Sequence, residues 1–246
     1  ISMKPYTCSK TGKKQFFFKK GEIDDWMEVE LQNAKMYPTV ENPAVNIESF
    51  VERHIDADLD QYAPLPENVL GEARFEPGER PKILINKNLT IAAVDTEGAP
   101  AWLRSKWRMT LAHEATHVLV HRSLFPSDKS QGTLFALEDE SSDDGRHGTY
   151  QHLERNEGRR GPVDWREVQA NNGMAALLMP KGVFITLCGT ERERLEFAPE
   201  SILEGAAETY QLAKALGGLF DVSTESVQIR LKELGLLAMR GQVRLL

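Results

Sequence analysis

The stretch LAHEATHVLV, residues 111–120, constrains this chain more than any other. Two histidines stand four apart in an apolar run, with a glutamate directly after the first. In a helix, residues four apart lie one turn apart on the same face, so both imidazoles reach one point beyond it. Glu114, about 100° further round, is placed beside that point rather than on it. Leu111, Ala112, Val118, Leu119 and Val120 flank the trio, so the helix is expected to be largely buried. Burying such groups is costly unless they are satisfied. A Zn²⁺ ion held by His113 and His117 would satisfy them, with Glu114 as the general base that takes a proton from the attacking water.

A catalytic zinc site uses three protein ligands and keeps one position open. Fifty residues past His117, Glu167 starts a helical pattern, with Asn171 one turn on. Glu167 is the candidate third ligand, and Asn171 a candidate to hold one ligand histidine from behind. His121, His147, His152 and Glu140 are rivals. A straight helix cannot easily wrap residues at i, i+4 and i+8 round one ion, so His121 reads as a supporting residue at the helix end. Tyr150 and Tyr210 are candidate oxyanion donors.

The rest of the chain reads as α+β. Helices are expected over 21–36, over 45–55 with Asn46 as cap, and from a Pro100 start through the stretch ending at Ser123. Trp102, Trp107, Leu111, Val118 and Leu119 are the expected buried side of the last. His54 shares a stripe with Ile47, Phe50 and Val51 and reads as a packing residue. Residues 69–89 read as a β-hairpin, a small antiparallel sheet. Strand 82–86 is either an ordinary interior strand or an edge that pairs with an extended peptide. Residues 126–163, acidic and then basic and rich in glycine, read as an exposed, mobile insertion. Helical pattern resumes at Asp164 and stops at Pro180. Two tail helices follow, separated by GGLFDVS (217–223), with Ser223 capping the second.

These elements group into an N-terminal basic arm and helix (1–43), a core with its insertion (44–190), and a C-terminal helical segment (191–246). No stretch approaches the ~20 apolar residues of a membrane span, and no signal-type run opens the chain, so the expected location is cytoplasmic. Two cysteines, Cys8 and Cys188, make no disulfide framework. Net charge is -7. The first 20 residues nevertheless carry six lysines and no acid, interleaved with Phe16, Phe17 and Phe18.

Taken together, WRMTLAHEATHVLVH, EVQANNGMAALLMP, VSTESVQIRLKELGLL and the hairpin VLGEARFEPGERPKILIN resemble the ImmA/IrrE-type metallo-endopeptidases over roughly residues 44–240. The resemblance implies a gluzincin-like minimal peptidase fold with a helix-turn-helix-like C-terminal segment. It also implies His113, His117 and Glu167 as zinc ligands, Glu114 as catalytic base, and cleavage of a regulatory protein, often a helix-turn-helix repressor. This chain departs from that pattern at Thr116, where glycine is usual, and at Gly173-Met174, where Phe-Ala is usual. Gln169 stands where an acidic residue often precedes Ala-Asn. None of these removes a ligand or the base.

Other readings are a zinc-containing transcription regulator, a partner-binding pseudo-protease, and the protease half of an antitoxin-type pair. Direct DNA binding is disfavoured, because residues 200–240 hold six acids against four bases.

Overall fold

A computed structural model describes residues 5–9, 12, 14–125, 148–153 and 164–238. Its elements in chain order are β1 (Tyr6–Thr7), β2 (Lys14–Gln15), α1 (Glu22–Asn33), α2 (Ile47–His54), β3 (Asp58–Ala63), β4 (Val69–Phe75) and β5 (Lys82–Asn86). Then come α3 (Lys87–Thr90), α4 (Ala101–His121), β6 (Gly148–Leu153), α5 (Trp165–Leu178), α6 (Lys181–Arg194), α7 (Ala207–Phe220) and α8 (Thr224–Glu233). The architecture is α+β, as the sequence pattern indicates.

Helix starts follow the expected chemistry. Asn46 Oδ1 accepts the Ser49 amide at 3.0 Å, Asp164 Oδ1 the Arg166 amide at 3.1 Å, and Ser223 Oγ the Ser226 amide at 3.1 Å. Each satisfies an amide that the first turn leaves without an intrahelical acceptor.

The expected hairpin is present, with Gly71 opposite Ile85 and Ala73 opposite Ile83. The sheet around it is larger and mixed, in the order β3-β5-β4-β6, with β3 parallel to β5 and β6 antiparallel to β4. It is therefore not a purely antiparallel sheet. Residues 82–86 form an interior strand, and the edges are β3 and β6. Strand β6 also corrects the reading of 126–163 as one mobile insertion, since 148–153 pair with β4. The remainder of that stretch, with Glu140 and His147, lies outside the described residues, as do the side chains of Tyr150 and His152.

Helix α4 packs on β4 and β5 of the sheet and on α5. Trp107, Leu111 and Val118 are buried as expected, Leu119 partly so, but Trp102 is 63% exposed. At position 102 the helix has not yet entered the core. Helix α1 packs along α5 through Ile23, Met27 and Leu31, all buried. One apolar cluster runs continuously from Ile23 in α1 to Leu231 in α8.

Pro180 ends α5, and α6 starts directly after it, the two helices meeting at 62°. The break between the tail helices is shorter than GGLFDVS suggests, because 217–220 remain in α7 and only 221–223 turn. Asp221 makes that turn in the left-handed region, φ 53°. Arg108 of α4 stabilises it, its Nε donating to Asp221 O at 3.1 Å and its Nη2 to Val45 O at 2.9 Å. His54 is half-buried on α2 and bonds Glu30 Oε2 at 2.7 Å. Among the described residues no single helix is long and apolar enough to cross a membrane.

Candidate metal centre

His113 and His117 point the same way from α4, as their spacing requires. Their Nε2 atoms lie 3.0 Å apart. Helix α5 brings Glu167 to them, Oε2 at 3.3 Å from His113 Nε2 and Oε1 at 3.6 Å from His117 Nε2. Both histidines are buried, and the Glu167 side chain is 26% exposed. The cluster is thus closed beneath and opens toward solvent at the carboxylate.

The donor set and its spacing fit a divalent transition metal. Tetrahedral bonds of about 2.0–2.2 Å place donors about 3.3–3.6 Å apart, so the two carboxylate contacts already have that spacing. The two nitrogens would need to open by only a few tenths of an ångström. Among the described residues the group offers three donors, two imidazoles and a carboxylate.

The surrounding hydrogen bonds select the nitrogen that each histidine presents. Asn171 Oδ1 lies 3.1 Å from His113 Nδ1, and an amide oxygen only accepts, so Nδ1 carries the proton and Nε2 the lone pair. Behind His117 the bonds form a chain. His117 Nδ1 lies 3.0 Å from His121 Nδ1, and His121 Nε2 lies 3.0 Å from Gln169 Oε1. Gln169 Nε2 in turn donates to Phe16 O at 2.7 Å. Burial pushes the His121 imidazole down to about 4, against the opposing pull of the Gln169 hydrogen bond, so it is neutral near pH 7.

Glu114 is fully buried on the sheet side of α4. It packs against Gly71 of β4, where an added Cβ would stand 3.0 Å from Glu114 Oε1 and 2.6 Å from Thr110 Cγ2. Gly71 is therefore what lets the helix bring its carboxylate against the strand.

Thr116 and Gly173, both unusual against the resembled pattern, meet across the α4–α5 interface. A Cβ on Gly173 would sit 2.3 Å from Thr116 Cγ2. The threonine methyl occupies the space the glycine leaves, and the two helices keep the close approach that brings Glu167 to the histidines.

The structure thus brings together four residues singled out in the sequence, His113, His117, Glu167 and Asn171. His121 stands behind His117 and is not among the clustered donors. Tyr210 is exposed on α7, which packs against α6 and α8, and does not join this group. Gln169 and Gly71 were not singled out as site residues. Neither a glutamine on a helix nor a glycine in a strand carries a spacing signal that would have marked it. Comparison with family models, curated proteins and solved structures finds no match to this chain.

Proposed function

We propose that this protein is a zinc-dependent endopeptidase of the ImmA/IrrE kind, acting on a protein substrate inside the cell. The observation that carries the reading is the convergence of His113, His117 and Glu167 with an open side, next to a buried glutamate on the same helix. Zinc, when bound, would supply a Lewis acid for the scissile carbonyl and lower the pKa of water.

The chain's own groups do the rest. His113 and His117 present Nε2 lone pairs, held in that orientation by Asn171 and His121. Glu114 accepts the proton of the attacking water as the new C–O bond forms and then returns it to the amide nitrogen, after which the peptide C–N bond breaks and the amine leaves. The same two-histidine, one-carboxylate set also occurs in iron oxygenases. A carboxylate fixed one residue after the first ligand favours hydrolysis, because a general base belongs there.

The substrate class that the resemblance suggests is a regulatory protein such as a helix-turn-helix repressor. Direct DNA binding by this chain is not part of the proposal. In α8, Arg230 is buried against Asp24 and Met179 O and is not presented to phosphates, while the exposed Lys232 pairs with Glu204 at 2.7 Å.

The test is digestion of a proteome-derived peptide library by the zinc-loaded protein and by Glu114→Gln, read as new termini by mass spectrometry. Cleavage by the first, with loss of about 10²–10⁴-fold in a variant that still binds one zinc, is expected. Equal cleavage by both, or none by the zinc-loaded protein, contradicts the proposal.

A further inference from the structure

The chain of hydrogen bonds behind His117 does not end in its own helix pair. It ends on the N-terminal arm, at the carbonyl of Phe16, 153 residues from Gln169 in sequence. That end fixes the direction of every bond before it. A backbone carbonyl only accepts, so the Gln169 NH₂ group faces Phe16 and its oxygen faces His121. His121 Nε2 must then donate, which leaves Nδ1 of the neutral ring as acceptor. His117 Nδ1 must therefore donate to His121, and its lone pair is left on Nε2, toward His113 and Glu167. With the opposite amide orientation, two oxygens would face each other at Phe16 and the sequence of donors would reverse.

The arm is held firmly enough to act as an anchor. Gln15 and Phe16 are buried, Gln15 Nε2 donates to Tyr6 Oη across the β1–β2 pair, and Phe18 stacks on Trp26 of α1. Gln169, His121 and His117 are themselves buried, so no bulk water competes for these bonds.

We infer that Gln169 and His121 are positioning residues through which the N-terminal arm sets the orientation of the metal-ligating His117, so that metal binding and order in the arm are coupled. The inference rests on the metal-centre reading above. By reciprocity, an arm that strengthens metal binding is itself stabilised when metal binds.

Two measurements on the full chain test it. In the metal-free protein, ¹⁵N–¹H spectra of the imidazole side chains report the tautomers, with the proton expected on Nε2 of His121 and on Nδ1 of His117. A proton on Nδ1 of His121 overturns the inference, and this test needs no metal and no variant. Second, zinc affinity by chelator competition and amide exchange of residues 15–18 are compared for the wild type and Gln169→Met, a near-isosteric change without hydrogen-bonding groups. Zinc is expected to slow exchange of those amides in the wild type. In the variant affinity should fall about 10–100-fold and the protection should disappear. Affinity within twofold of wild type, or arm amides indifferent to zinc in the wild type, overturns it. Failure of the wild type to bind zinc would instead overturn the metal-centre reading, and the tautomers would still judge the hydrogen-bond chain.

Discussion

Gly173→Ala is the sharpest probe of how the two helices deliver the metal ligands. The new methyl would lie 2.3 Å from Thr116 Cγ2 and 3.0 Å from its Oγ1, against an ordinary carbon contact of about 3.5–4.0 Å. Thr116 cannot simply rotate away. It is fully buried, and its hydroxyl donates to Ala112 O at 2.8 Å, which holds the rotamer. Helices α4 and α5 must therefore move apart. Overpacking of this kind costs about 1–3 kcal/mol, offset by about 1 kcal/mol from replacing a helical glycine with alanine. The net loss is about 0–2 kcal/mol.

The diagnostic quantity is the dependence on residue 116. With Thr116→Ala, the 2.3 and 3.0 Å contacts vanish and only the 3.2 Å approach to Cβ remains. There Gly173→Ala should be neutral or stabilising, giving a favourable coupling of about 1–3 kcal/mol in the double-mutant cycle. Urea unfolding of the four proteins reads it directly. Zinc affinity should fall in Gly173→Ala and recover in the double variant, because the helix separation sets the distance from Glu167 to the histidines. A Gly173→Ala effect that is the same in both backgrounds, within about 0.5 kcal/mol, refutes the reasoning.

Other consequences follow from the same geometry. Gly71→Ala sets a methyl against Thr110 and the Glu114 carboxylate, so it should lower stability by about 1–3 kcal/mol and reduce peptidase activity more than zinc affinity; unchanged turnover per bound zinc would count against it. His121 titrates near 4 in the folded state and near 6.5 when unfolded. The unfolded chain therefore takes up its proton first as pH falls, and the metal-free protein should lose up to about 3 kcal/mol between pH 6.5 and 4. His121→Asn should flatten that slope in urea titrations. Zinc at 100 times its dissociation constant should raise stability by about 2.7 kcal/mol, removable by chelator, since the site exists only in the folded state. Burial raises the Cys188 thiol pKa, so alkylation under native conditions should modify Cys8 first.

What the sequence disclosed and what it concealed divide along physical lines. The pairing of His113 with His117 is legible because helical geometry alone fixes their relation. Glu167 and Asn171 were legible because they repeat that one-turn spacing on a second helix. Strand β3 is hard to read from the sequence, since its residues DLDQYA bury little apolar surface. Helix α6 was hidden by KGVFITLCGT, whose β-branched residues and glycines argue against a helix that tertiary packing of Phe184 and Leu187 nevertheless stabilises. The Phe16–Gln169 bond joins residues far apart in sequence and leaves no periodic trace. Thr116 and Gly173 looked like independent departures until their contact showed a single exchange of volume between facing helices.

The central claim is a metal held by three protein ligands with one position open, and anomalous diffraction at the zinc edge from crystals of the zinc-loaded protein tests it most directly. One zinc is expected, bound by His113 Nε2, His117 Nε2 and a Glu167 oxygen at about 2.0–2.2 Å, with solvent as the remaining ligand. A fourth protein ligand, or zinc bound away from these three side chains, would contradict it.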